Sequence, residues 1–157
     1  MSRAFVKDQD DAPEELAERP ISQHPNLVTS RGLAAIDAEM DSLRQRIAEA
    51  HAADDKQAAA WLNRDLRYWV QRRSSAQLTH HPDDLGHVAF ATRVTIGRDD
   101  GRQQVFAIVG EDEADPAHGL IAYVSPMAHA LMNRKVGEWA EVPGGEAEIL
   151  RIEALQD

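Results

Sequence analysis

Two adjacent carboxylates, Asp54 and Asp55, fall in a short connection between two helix-periodic stretches of this 157-residue chain. Carboxylates are the hard oxygen ligands that a cation such as magnesium prefers. Adjacent acids at a helical connection also serve as a solvated turn or a helix N-cap, and that reading takes precedence. The other candidates are weaker. Of seven histidines, His80 and His81 are adjacent, and His118 and His129 have no carboxylate partner at ligand spacing. Ser125, followed by Pro126 and Met127, has no elbow motif around it and no base to activate it, so it reads as a helix cap. Arg64, Arg67, Arg72 and Arg73 could touch RNA, although arginine on an exposed helix face ordinarily serves solubility and pairing.

Two helices must position the acids. Leu33, Ile36, Met40, Leu43 and Ile47 recur at spacings of three and four, the seam of a helix packed along a partner, with Thr29 or Ser30 as N-cap. A second stripe of Leu62, Leu66, Trp69 and Ala76 predicts a helix from about Gln57 to Leu78, with the arginines mostly outside it. The short Ala52, Ala53, Asp54, Asp55 link makes an antiparallel hairpin the economical arrangement, with arms of about 30 Å at about 1.5 Å per residue. Trp69 belongs to its seam, whereas Trp61 lies nearer the tip, where few residues can cover it.

His80, His81 and Pro82 end the second helix, and the pattern then changes to strands. Val88, Phe90, Val94 and Ile96 lie even steps apart, Asp99, Asp100 and Gly101 turn the chain into Gln104 to Val109, and Gly110 to Gly119 reads as an acidic loop. A strand from Leu120 to Val124 leads to a short helix capped by Ser125, and two strands around Pro143, Gly144 and Gly145 complete the pattern. The predicted architecture is α+β: an acidic, mobile arm over 1–27, a helical hairpin over 28–80, and a small antiparallel sheet domain with one short helix over 81–157. Phe5 and Val6 are expected to be exposed in the arm.

Composition narrows the function classes. The formal charge of −10 argues against wrapping duplex DNA. Residues 28–79 carry eight basic and seven acidic side chains against six and fourteen in residues 80–157, so the hairpin is basic relative to the rest. The absence of cysteine excludes disulfides and thiolate metal sites and suits a reducing compartment. No apolar run is long enough for export or for crossing a membrane, so the expected location is the cytoplasm.

Several separated motifs, in order, make the chain resemble the GreA/GreB family of bacterial transcription elongation factors. An opening V-T-x-x-G-L appears as Val28 to Leu33. S-P-M-A-x-A-L appears as Ser125 to Leu131, Lys135, Val136 and Gly137 stand in the place of the family's K-x-V-G, and P-x-G-E appears as Pro143 to Glu146. The resemblance spans roughly residues 28–155 and implies an FKBP-like C-terminal domain. It implies docking on RNA polymerase at the rim of its secondary channel, with the hairpin reaching down the channel. Ser125, Pro126 and Met127 would form the polymerase contact, Arg64, Arg67 and Arg72 would face RNA or channel walls, and Asp54 and Asp55 could share a polymerase-bound magnesium. The chain would have no cofactor or catalytic residue of its own, would at most stimulate cleavage by the polymerase, and would act as a monomer without duplex DNA or membrane.

Two departures from the family pattern stand out. The tip carries no Ser-Glu-Asn-Ala run on a hairpin read as shorter than the family's, and Val124 replaces an acid before S-P-M. The alternatives are therefore a cleavage-stimulating factor and a cleavage-inactive regulator that occupies the channel. From another class comes a peptidyl-prolyl isomerase, for which the C-terminal region offers only Phe90, Phe106, Tyr123 and Trp139 as aromatic lining.

Overall fold

The computed structural model describes residues 16–156. Phe5, Val6 and the rest of the expected arm before residue 16 lie outside the described residues. A two-residue strand β1 (Leu27–Val28) leads into helix α1 (Ser30–Ala52), then helix α2 (Lys56–Ser75) and a second short strand β2 (Gln77–Leu78). Thr29 is the N-cap, its hydroxyl accepting the Gly32 N–H at 2.9 Å. The heptad residues Ile36, Met40 and Leu43 are buried, and Leu33, Leu66, Trp69 and Ala76 pack around Val28, Ile36 and Met40. Burying a side chain such as Leu43 contributes about 2 kcal/mol, which makes the seam rather than helix propensity the main source of hairpin stability. Arg73 and Asp37 add an exposed ion pair across it, Nε to Oδ1 at 2.7 Å.

The second helix ends three residues earlier than the periodicity predicts. Asn26 captures its last turn: its side-chain amide donates to the Arg72 carbonyl at 2.7 Å and to the Ser75 hydroxyl at 3.1 Å. Its backbone carbonyl accepts the Gln77 N–H at 2.8 Å. Ala76 consequently leaves the helix with extended dihedrals, and β2 pairs in parallel with β1.

The sheet domain contains β3 (Thr92–Arg98), β4 (Gln103–Val109), β5 (Leu120–Ala122), the short helix α3 (Pro126–Leu131), β6 (Trp139–Val142) and β7 (Gly145–Ala154), with a 3-10 turn at Pro116–His118. Spatial order is β5-β4-β3-β7-β6. The antiparallel expectation holds for β4-β3-β7-β6, but β5 pairs in parallel with β4, so the sheet is mixed. The reason is the acidic loop, which brings the chain back along the β4 edge in the same direction instead of closing a hairpin. Val94, Ile96, Ile108 and Ile149 point to one face, where Ala128 and Leu131 of α3 complete the core. Between Thr95 and Ile96 the pairing shifts by one residue of β7, and Leu150 sits over Gly97 on the opposite face.

Candidate functional site

The hairpin tip is built by two caps. The Ala53 N–H returns to the Glu49 carbonyl, and Asp54 follows at φ 52°, a left-handed conformation that aspartate tolerates better than most residues. Asp55 is then the N-cap of α2, its carboxylate accepting the Ala58 N–H at 3.1 Å. The cap reading of Asp55 is therefore correct, and Asp54 is the member of the pair whose exposed carboxylate has no side-chain hydrogen bond among the described residues. No group of three or more histidine, aspartate or glutamate side chains that could hold a metal occurs among the described residues. His118, expected to lack a carboxylate partner, has one: its Nδ1 lies 2.6 Å from Asp115 Oδ2, because the 3-10 turn brings positions three apart together.

Ser125 caps α3, accepting the Ala128 N–H at 3.3 Å, and Pro126 occupies the first turn. Pro126 is exposed, whereas Met127 is half-buried against the sheet core. The four aromatics of the C-terminal region do not gather into one lining: Phe90 and Tyr123 meet edge to face at 5.8 Å in the core, and Trp139 is exposed on β6.

The three candidate arginines divide by environment. Arg64 stacks its guanidinium 4.4 Å from the centre of the Trp61 ring, and Trp61 is itself exposed. Arg67 is exposed and bonded to Glu18, whose pairing lowers the glutamate pKa and raises that of the arginine. Arg72 does not face outward at all, which corrects the expectation of a surface contact. It is 1% exposed, with Nε 2.5 Å from Asp112 Oδ2 and Nη2 2.7 Å from Asn26 Oδ1. Helical periodicity alone could not reveal this, because the face it occupies is covered by the acidic loop rather than by the partner helix.

That loop forms the base of the hairpin. Tyr68 donates to Asp112 Oδ1 at 2.5 Å, Glu111 lies 3.8 Å from Arg72, and the Thr29 hydroxyl donates to Glu113. Desolvation, reinforced by the Asp112 carboxylate, pushes the Tyr68 phenol up to about 12. Burial also raises Tyr123, whose hydroxyl donates to the Pro25 carbonyl. A Cβ at Gly32 would come within 2.9 Å of Glu113 Oε1, so the end of that side chain would have to shift to admit one. Among the described residues, the side-chain hydrogen bonds and ion pairs between hairpin and sheet domain all involve Thr29, Tyr68 or Arg72, so the outer half of the rod makes none.

The described residues thus form a two-helix rod with an acid at its tip, fixed at its base to a small sheet domain. A family model described as Transcription elongation factor, GreA/GreB, C-term matches residues 82–154. Transcription elongation factor GreA of Alkalilimnicola ehrlichii (strain ATCC BAA-1101 / DSM 17681 / MLHE-1) is 32% identical over 149 residues, covering 80% of this chain and 94% of the relative. GreA of Maricaulis maris (strain MCS10) is 36% identical over 102 residues, covering 62% of this chain and 64% of the relative, so the chain spans slightly less than two thirds of that protein. GreB of Haemophilus ducreyi (strain 35000HP / ATCC 700724) is 29% identical over 143 residues, covering 78% and 88%. Among solved structures, GreA factor homolog 1 (Gfh1) of Thermus thermophilus aligns with TM-score 0.40 and 17% identity over 83% of this chain and 100% of that one. The chain belongs to the GreA/GreB family of transcription elongation factors. No helix among its described residues is long and apolar enough to cross a membrane.

Proposed function

We propose that this protein binds RNA polymerase and regulates elongation by placing its hairpin in the secondary channel, without catalytic chemistry of its own. The observation that carries the reading is the rod whose outer half, among the described residues, makes no side-chain hydrogen bond or ion pair with the sheet domain, leaving the Asp54 end available to another molecule. Family membership and the Ser125, Pro126, Met127 run support the polymerase as the partner. Asp54 would then be the tip acid able to share a polymerase magnesium, because Asp55 is engaged as a cap. A single free carboxylate in place of a cluster favours occupation of the channel over efficient cleavage. Arg64 and Arg67 remain as contacts for RNA or channel walls, and the cytoplasm is the corresponding location.

The test is co-purification with RNA polymerase followed by transcript cleavage on stalled complexes. Pro126→Glu, at an exposed position, should lower polymerase affinity while the domain stays folded; unchanged affinity would remove the α3 surface from consideration. Met127→Glu is a poorer probe, since its side chain packs on the core. Asp54→Asn should leave binding intact, and any cleavage stimulation lost with it would assign the factor to the cleavage-competent type.

A further inference from the structure

We infer that the segment preceding the hairpin, residues 18–29, is a strap that locks the angle between rod and sheet domain, with Arg72 as its keystone. The inference is independent of which partner the rod enters. Its inner part is wedged between three elements. Asn26 bonds the Arg72 side chain through Oδ1, the Arg72 carbonyl and Ser75 through Nδ2, and Gln77 through its backbone carbonyl. The Pro25 carbonyl accepts from Tyr123 of the sheet domain. The Leu27 carbonyl lies so close to Gly110 that a Cβ there would come within 2.3 Å of it. The strap, the end of α2 and the acidic loop therefore meet at a single guanidinium, held by Asp112 at 2.5 Å and Asn26 at 2.7 Å.

Burial makes this arrangement discrete rather than adjustable. Rotating the rod away would leave the Arg72 cation and the Asp112 carboxylate, whose side chain is 13% exposed, without their partners. The outer part of the strap differs: Glu18 meets Arg67 at the surface, and the Arg19 guanidinium lies 3.9 Å from the Tyr68 ring centre and 3.5 Å from Asp65. Exposed pairs of this kind are weak and screened by salt, so the outer part guides the strap while the buried part locks it.

Because the chain has no cysteine, His51→Cys at the tip and Gln103→Cys on the sheet domain give unique spin-label positions. The full chain should show one narrow label-to-label distance distribution. Arg72→Met and Asp112→Asn should each shift or broaden it, and hydrogen exchange at the Gln77 and Thr79 amides should accelerate. Should Arg72→Met fail to fold, Asp112→Asn and Asn26→Leu decide the matter. A broad distribution in the parent, or an unchanged one in a folded Asp112→Asn or Asn26→Leu variant, overturns the inference.

Discussion

Tyr68 and Arg72, one helical turn apart on α2, share a single carboxylate: the phenol takes Asp112 Oδ1 and the guanidinium takes Oδ2, each at 2.5 Å. Positions four apart lie on the same helix face, so one acid from the loop can satisfy both. The phenol contact carries a pH signature. With the folded pKa raised to about 12 against an ordinary value near 10, its stabilisation is complete below about pH 10. It is lost as pH rises toward 12, because the unfolded chain releases that proton first. Tyr68→Phe should cost about 1 to 3 kcal/mol at neutral pH. In thermal melts between pH 9 and 12, the gap between parent and variant should narrow as pH rises.

Gly110 marks the closest approach of the strap to the sheet. Gly110→Ala places a methyl group 2.3 Å from the Leu27 carbonyl oxygen, and both groups belong to backbone that cannot swing aside. Overpacking of this kind should cost about 2 kcal/mol or more, read as a lower urea midpoint.

Glu111 offers the opposite result. Among the described residues its Oε2 is buried without a hydrogen-bond partner and only 3.8 Å from the Arg72 guanidinium, which Asp112 already neutralises. Removing an unsatisfied acceptor is far cheaper than removing a bonded one. Glu111→Met should therefore change stability by no more than about 0.5 kcal/mol in urea unfolding, whereas Asp112→Leu, which strands the buried cation, should cost about 3 kcal/mol or more.

The two tip acids should separate in the same assay. Asp55→Ala removes an N-cap and should cost about 1 kcal/mol. Asp54→Gly, at φ 52°, should cost nothing measurable, since glycine adopts that conformation without strain.

Much of the architecture could be read from residue patterns because it is local. The seam of Ile36, Met40 and Leu43, the caps at Thr29, Asp55 and Ser125, and the turn at Pro143 and Gly144 each follow from spacing or residue type within a few positions. The motifs at Val28 to Leu33, Ser125 to Leu131, Lys135 to Gly137 and Pro143 to Glu146 together carry the family resemblance in the sequence itself. What could not be read depends on contacts between distant positions. The burial of Arg72 requires Asp112, forty residues away, and the early end of α2 requires Asn26, forty-six residues from Arg72. The parallel placement of β5 follows from the loop over residues 110–119, whose acids bond to Thr29, Tyr68 and Arg72, residues far from it in the chain.

The paired strands at residues 27–28 and 77–78 have a mechanical meaning. They join the two legs of the hairpin side by side at their root, through backbone bonds that include Gln77 to Asn26 and Thr79 to Val28. Sideways force at the far end thus reaches the sheet domain as a bending moment on one joined root instead of prying the legs apart, and the lever should tilt as a unit before it unzips.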